Sequence, residues 1–224
     1  MFAVIFEVQP KPDRWEDYLA LAGSLRPDLE KVDGFIANER FAGRRRENRV
    51  LSLSLWRDEK AVVRWRTLAR HHEAQARGRS EIFDDYHLRV GEVTADSDFG
   101  RGEGPPQQRF DETETGEAKL ATITEIAAGV AAGQAPGDLA AELGLPTGTD
   151  GVVEHETFEG LNDREKLLLL VSWKDAAAAR GWSPAERWPE LRHRAVRIVR
   201  DYGMRDRREA PQYYPPVAAA GGSR

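Results

Sequence analysis

The chain has 224 residues, of which 40% are hydrophobic and 32% charged, including six Trp, eight Phe and five Tyr. This fits one large domain or two of about a hundred residues each, and it excludes fibrous and globally disordered proteins. The net charge of −5 disfavours nucleic-acid binding, because no overall basic field would release phosphate counterions. The absence of Cys excludes disulfides, thiolate nucleophiles and Cys-ligated metals. Neither a secretory leader nor a long apolar run is visible, which predicts a cytoplasmic protein without a membrane partner.

The first part of the chain predicts the element order βαββαβ. A β-branched run forms the first strand, an apolar stripe after Pro12 the first helix, strict alternation the hairpin, and Asp58 caps the second helix. The predicted strands are 2–8, 34–41, 50–56 and 86–93, and the predicted helices are 12–27 and 58–75. This order is that of the split βαβ, or ferredoxin-like, arrangement, an antiparallel sheet with two helices on one face.

A tandem duplication is the strongest signal in the sequence. The pattern GxxxxExFxG that begins at Gly34 begins again at Gly151, and the same offset places Trp56 on Trp173 and Trp65 on Trp182. With one deletion, a DYxxR segment at 85–89 matches a second one at 201–205. The second copy predicts strands at 119–126, 151–158, 166–173 and 202–205, and a weaker helix at 136–143. Internal repeats of this kind predict a paired architecture.

The two copies define the predicted domain organisation. Residues 1–96 form the first domain and 118–210 a second, degenerate one. A Gly-, Pro- and acid-rich linker spans 97–117, and a Pro/Ala/Gly-rich tail spans 211–224. We expect an α+β protein in which the two antiparallel sheets bury each other and close a barrel. Such a chain is a self-sufficient pseudo-dimer, although the pattern does not forbid further homodimerisation.

The first copy resembles a known family. A strand ending in Trp56, a helix through Trp65 and His72, and the run Phe83-Asp84-Asp85-Tyr86-His87-Leu88-Arg89-Val90 are similar to the antibiotic biosynthesis monooxygenase domain. The resemblance covers most of 1–96 and, more loosely, 118–206. It implies a fused form of the dimeric α/β barrel. The superfamily includes cofactor-free oxygenases of aromatic polyketides and quinols, haem-degrading enzymes, isomerases and proteins without activity, so the fold is better specified than the chemistry.

A candidate site lies on the second helix of the first copy. On a continuous helix, Trp65 and His72 share one face toward the sheet, while His71 points to solvent. Cofactor-free oxygenation needs a base, a dry aromatic pocket and donors for a developing oxyanion. The sequence therefore predicts His72 as the base and Trp65 as the pocket wall, with substrate-binding groups at Asn38, Arg40, His71, Tyr86 and Arg89. The substrate expected is a small aromatic or quinone-like molecule.

Two alternatives to this function remain open from the sequence. Trp65 and Tyr86 recur as Trp182 and Tyr202, which also fits plain packing in a non-catalytic, ligand-binding or structural barrel. Haem binding through His71 or His72 is a third hypothesis, although the first strand lacks the Asn that the haem-degrading branch uses. We predict neither a bound cofactor nor a metal site. Because a Pro break replaces the helix of His72 in the second copy, one site is expected, in the first copy, with the second copy as a scaffold.

Overall fold

The computed structural model describes residues 1–99, 105–127, 138–145, 148, 151–185, 188 and 190–212. Among these residues, the first copy contributes four strands, four helices and one π-helical turn, and the second copy contributes four strands and two short helices. In the first copy these are β1 (Phe2–Pro10), α1 (Trp15–Ser24), α2 (Arg26–Leu29), β2 (Phe35–Gly43), β3 (Val50–Trp56), α3 (Glu59–Thr67), α4 (Ala69–Arg77), the π turn Gly78–Ile82 and β4 (Phe83–Asp96). In the second they are β5 (Leu120–Ala127), α5 (Leu139–Glu142), β6 (Val152–Gly160), β7 (Lys166–Trp173), α6 (Ala176–Arg180) and β8 (Arg192–Gly203).

The strands close into one antiparallel barrel in the order β1-β3-β2-β6-β7-β5-β8-β4. Two seams join the copies: β2 pairs with β6 from Phe41 opposite Gly160 to Gly43 opposite Phe158, and β4 pairs with β8 along most of its length. The predicted α+β barrel of two βαββαβ repeats is thus confirmed. Closure leaves no free sheet edge among the described strands, because each finds a hydrogen-bonding neighbour on both sides.

Equivalent side chains from both copies fill the barrel. The alternation predicted for β3 places Leu51 and Leu53 inside, and their repeats Leu168 and Leu170 do the same in β7. Phe41 and Phe158 meet there with no exposed surface. The outward-facing residues of the same strands lie under the helices.

Two buried ion pairs extend this symmetry. Arg89 of β4 donates to Glu7 of β1, and Arg194 of β8 donates to Glu125 of β5; the exposed fraction of all four side chains is 7% or less. Glu7 pairs opposite His87 in the sheet and Glu125 pairs opposite Arg192, so Arg89 and Arg194 hold the same place, two residues along. The sequence match of Arg89 to Arg205 is therefore wrong for this strand. The two DYxxR segments do not occupy equivalent positions, because the described part of the second copy has no counterpart of α4 or of the π turn.

The last strand of the chain also differs from prediction. It runs from Arg192 to Gly203, whereas the sequence predicts a strand only at 202–205. The basic run at the start of this strand predicts a solvent-exposed face. In the structure, Arg192 and Arg194 instead form ion pairs with Asp96. The predicted helix at 136–143 is seen as Leu139–Glu142, with residues 136 and 137 outside the described part. No described helix is long and apolar enough to cross a bilayer.

Candidate functional site

A cavity of about 220 Å³ lies between the outer face of the first copy's sheet and its helices. Strands β1 to β4 form the floor, with Val4, Phe6 and Val90 pointing into it, and helices α1 to α4 form the roof. The outward alternation that places Leu51 and Leu53 in the barrel places Ser52 and Ser54 under this roof. The cavity is thus the helix–sheet interface that the sequence predicts to carry chemistry.

Aromatic rings make up much of its wall. Phe6, Phe83 and Tyr86 contact one another at centroid distances of 5.7 to 6.2 Å, and Tyr18 packs against Phe83 at 6.1 Å. Burial raises the pKa of the Tyr18 hydroxyl, with Arg40 opposing the effect. The cavity is small and most of its surface is apolar, as expected for a hydrophobic ligand.

The second helix predicted from the sequence is broken in the middle. Leu68 adopts an extended backbone between α3 and α4 (φ −61°, ψ 126°), so the helical register restarts at Ala69. His71 turns back onto the end of α3, where its ring stacks on Trp65 at 4.0 Å with an interplanar angle of 17°. The expectation that His71 faces solvent is therefore wrong, and the shared face of Trp65 and His72 does not form.

The break also fixes the protonation state of His71. Its Nδ1 lies 2.9 Å from the Trp65 carbonyl oxygen. A carbonyl only accepts, so Nδ1 carries the proton and Nε2 keeps its lone pair. Burial lowers the pKa of His71 to about 4 against the opposing effect of this hydrogen bond. The side chain is hence a neutral imidazole near pH 7, held in one tautomer.

The cavity brings together most of the residues predicted for the site. Trp65, His71, Asn38, Arg40 and Tyr86 all line it. The amide nitrogen of Asn38 donates to Ser52 Oγ at 3.0 Å and to the Leu53 carbonyl at 3.1 Å. Arg40 donates from Nη2 to the Ala22 carbonyl at 3.3 Å, while its buried Nε has no partner among the described residues. A buried donor without a partner is costly in a folded protein and marks a place for a ligand acceptor.

Two predicted residues lie elsewhere. Arg89 points into the barrel, where it donates to Glu7 and, at 2.6 Å, to Ser172 Oγ, so its prediction as a substrate-binding residue is corrected. The alternation of β4 explains this: Leu88 and Val90 face the cavity and Arg89 between them faces away. His72 is not among the described residues that line the cavity. The geometry therefore pairs Trp65 with His71 rather than with the predicted base.

Sequence reasoning missed two groups of lining residues. One comes from the second copy: Arg200 and Tyr202 of β8, and Arg207 and Pro211 of the segment after it, close one side of the cavity. Arg207 donates to the Tyr86 hydroxyl and lies over the Tyr202 ring at 5.9 Å. The second copy is thus part of the site and more than a scaffold. The second group, Arg66 and Arg79, lies on α3 and the π turn, where their spacing alone gives no signal.

The equivalent interface of the second copy is filled. Leu139, Leu143 and Leu145 pack with Trp182 against Trp173, whose ring centroid is 5.9 Å from that of Trp182. His193, expected on a wet face, packs edge-on against Trp182, and burial lowers its pKa to about 4. Its Nδ1 lies 2.8 Å from Thr124 Oγ1. The expectation of one cavity, in the first copy, agrees with this packing of the described residues.

One cluster has potential metal ligands. Glu7, His87 and Glu154 come within 4.8 Å of one another at the polar end of the barrel. Burial would raise the pKa of Glu7, but the Arg89 and Arg49 guanidiniums outweigh it and hold the pKa below its usual value. Arg49 donates to Glu7 at 2.6 Å. Glu7 is therefore already paired with two guanidiniums, and His87 Nε2 lies 2.6 Å from Asp201 Oδ1.

Comparison with known proteins adds three findings. The family model described as antibiotic biosynthesis monooxygenase matches residues 1–77. A protein of Pyricularia oryzae described as "Jasmonate monooxygenase ABM" is 42% identical over 224 residues, which cover 97% of this chain and 100% of that protein. Among solved structures, an anthrone oxidase-like protein is 12% identical and covers 94% of this chain and 96% of its own (TM-score 0.38), and an antibiotic biosynthesis monooxygenase is 15% identical over 41% of this chain and 97% of its own (TM-score 0.38).

Proposed function

Because this chain belongs to the antibiotic biosynthesis monooxygenase family, we propose that it is a monooxygenase that oxidises a small hydrophobic molecule in the first copy's cavity. The single observation that carries the proposal is His71: a partly buried imidazole, neutral near pH 7 and fixed in one tautomer, in an aromatic cavity. A general base needs a free lone pair near the working pH, and Nε2 has one.

The chemistry proposed needs no resident cofactor. His71 Nε2 removes a proton from a CH₂ or OH activated by a carbonyl or an aromatic ring, and the resulting anion transfers an electron to O₂. Recombination gives a hydroperoxide, and loss of water from a former CH₂ leaves C=O. One oxygen atom enters the product and the other leaves as water, so the substrate supplies all the electrons.

Other lining groups would stabilise the anion. Arg40 presents a positive charge and the unpartnered Nε to an oxyanion, and preorganised donors of this kind are usually the largest electrostatic term in catalysis. The aromatic wall excludes water, which strengthens such interactions. Quinols and aromatic ketones fit this chemistry. Jasmonate belongs in the same panel because the Pyricularia oryzae relative is named for it.

Haem fits the site less well. The cavity of about 220 Å³ is below the roughly 300–1,000 Å³ of typical small-molecule sites, and a tetrapyrrole would have to widen it. Trp65 also covers one face of the His71 ring. Interfaces filled by side chains in both copies would support the non-catalytic hypothesis, and in the first copy the described side chains leave a cavity.

Oxygen uptake by the purified protein against quinols, anthrone and jasmonate tests the proposal. His71→Gln should lower the turnover at least a hundredfold, which is a typical loss for a general base, while the melting temperature stays nearly unchanged. His72→Gln is the matched control, one position away and outside the lining. Loss of turnover in His72→Gln alone would restore the sequence prediction and contradict the geometry.

The pH profile gives a second test of the same residue. With a pKa of about 4, His71 keeps its lone pair down to mildly acidic pH and is protonated below it. The turnover should therefore fall through about pH 4 as the pH decreases, instead of near 6.5, where an ordinary imidazole titrates. An acid limb near 6.5 would show that the base is a solvated group.

A further inference from the structure

The cavity carries an excess of positive charge that the reaction itself does not need. Its lining includes five Arg side chains and, among the described residues, one carboxylate, Glu59. Glu59 is itself shared: it lies 2.7 Å from Arg109, outside the lining, and 3.7 Å from Arg200. A cavity that is apolar in its walls and cationic in balance is suited to an apolar molecule with one anionic group.

Three of the five arginines are already engaged. Arg200 faces Glu59, Arg207 donates to the Tyr86 hydroxyl, and Arg40 donates to the Ala22 carbonyl. Each therefore has a structural partner before any ligand arrives. Arg66 and Arg79 have neither a hydrogen bond nor an ion pair with any other described residue.

The neighbouring arginines show that, in this stretch of the chain, the lack of an acidic partner is confined to the arginines that line the cavity. On the same stretch of helix, Arg64 pairs with Asp33, Arg70 with Asp28 and Arg77 with Glu81. All three are outside the lining. Arg66 and Arg79 are the two arginines of this stretch that line the cavity. Neither has an acidic partner in the described chain, although each of the three neighbouring arginines does.

We propose that the substrate of this site carries a carboxylate and that Arg66 and Arg79 bind it, which leaves the apolar part of the molecule against Trp65 and His71. The inference rests on the proposed function only for the location of the substrate. A guanidinium is always charged and presents donors in a fork that matches a carboxylate, so it selects an acid over its ester. Arg66 and Arg79 are specificity residues, and they take no part in the proton transfer at His71.

Jasmonate and methyl jasmonate are suitable probes because the ester has a methyl group in place of the negative charge and is otherwise the same molecule. In equilibrium titrations of the full chain at low ionic strength, the acid should bind at least tenfold more tightly than the ester, and added salt should reduce the difference. Arg66→Gln/Arg79→Gln should weaken binding of the acid by about ten- to a hundredfold and change binding of the ester by less than twofold. Arg64→Gln, on the same helix but paired with Asp33, is the control and should change neither.

The outcomes separate this inference from the proposed function. Equal binding of acid and ester, binding of neither, or an unchanged preference in the double variant would overturn the carboxylate site. Oxygen uptake with either probe is measured independently. Turnover of the ester as fast as the acid would leave a monooxygenase without anion recognition, whereas tight, Arg-dependent binding of the acid without oxygen uptake would uphold the carboxylate site and count against the proposed function.

Discussion

Arg89 donates to Glu7 and Ser172 in the closed interior of the barrel, on the side of the sheet away from the cavity. Burial of a charge is tolerated only when a partner compensates it, and loss of one partner of a buried pair is strongly destabilising. The residue therefore stabilises the fold, although its type and its position in a repeated DYxxR run suggest a ligand contact.

Glu7→Gln tests that assignment. The change leaves the fully buried Arg89 without its countercharge, and we expect the free energy of unfolding to fall by about 3–5 kcal/mol. Glu125→Gln, the equivalent change opposite Arg194, should give a smaller loss, because Arg194 keeps its ion pair with Asp96. Urea titration measures both, and Glu39→Gln, an exposed partner of Lys166, is the control. Destabilisation of less than about 1 kcal/mol together with a changed KM would return Arg89 to the substrate.

At the residue scale, sequence reasoning recovered the groups whose position follows from strand alternation. Asn38, Arg40 and Tyr86 line the cavity as predicted. Arg89 was wrong because one residue of register decides which face a strand side chain occupies. His71, instead of the predicted His72, lines the cavity for another reason: the helical register changes before it, and that change depends on tertiary contacts.

At the scale of elements, the change in helical register occurs at Leu68, where the helix breaks. Neither Gly nor Pro marks it, and Thr67, Leu68 and Ala69 read as ordinary helix. In the structure the Thr67 hydroxyl donates to the Val63 carbonyl at 2.9 Å, the Leu68 side chain is half-exposed, and His71 packs on Trp65. These contacts replace the helical hydrogen bonds lost at the break. Strongly periodic strands and capped helix starts were predictable, whereas this interruption was not.

Gly78, at the start of the π turn, fixes how α4 returns to the sheet. A Cβ at this position would lie 2.5 and 2.6 Å from two carbon atoms of the Phe83 ring. That ring cannot move aside freely, because Tyr18 and Phe6 pack against it. Gly78→Ala should therefore destabilise the protein by about 1–3 kcal/mol despite the better helix propensity of Ala.

Gly23, in α1, is the matched control for Gly78. No atom lies within 4 Å of a Cβ built there, so Gly23→Ala should be neutral or stabilise by up to about 1 kcal/mol. Thermal unfolding of the two variants measures the difference. Equal melting temperatures would show that the Phe83 ring moves to make room for the added methyl group and that the π turn packs loosely on the sheet.

At the scale of the whole molecule, the duplication made the barrel predictable, but it gave no sign that the helix sides of the two copies differ. Equivalent leucines and Phe41 with Phe158 close the interior symmetrically. The helix side is asymmetric, since leucines and Trp182 fill the interface in the second copy and a cavity remains in the first. Strand β8 and the segment after it reach that cavity because β8 pairs with β4. This pairing forms only when the barrel closes.

The contact of Arg207 with Tyr86 tests whether the second copy takes part in ligand binding. Arg207 donates to the Tyr86 hydroxyl, so the hydroxyl hydrogen remains available to donate elsewhere. Arg207→Met and Tyr86→Phe should each raise KM several-fold with little change in kcat, and the double variant should be no worse than either single one, because both remove the same contact. Arg208→Met, an exposed neighbour paired with Asp206, should leave KM unchanged. Additive effects of Arg207→Met and Tyr86→Phe would mean that the two side chains act independently, whereas an unchanged KM in Arg207→Met would mean that the second copy only covers the sheet.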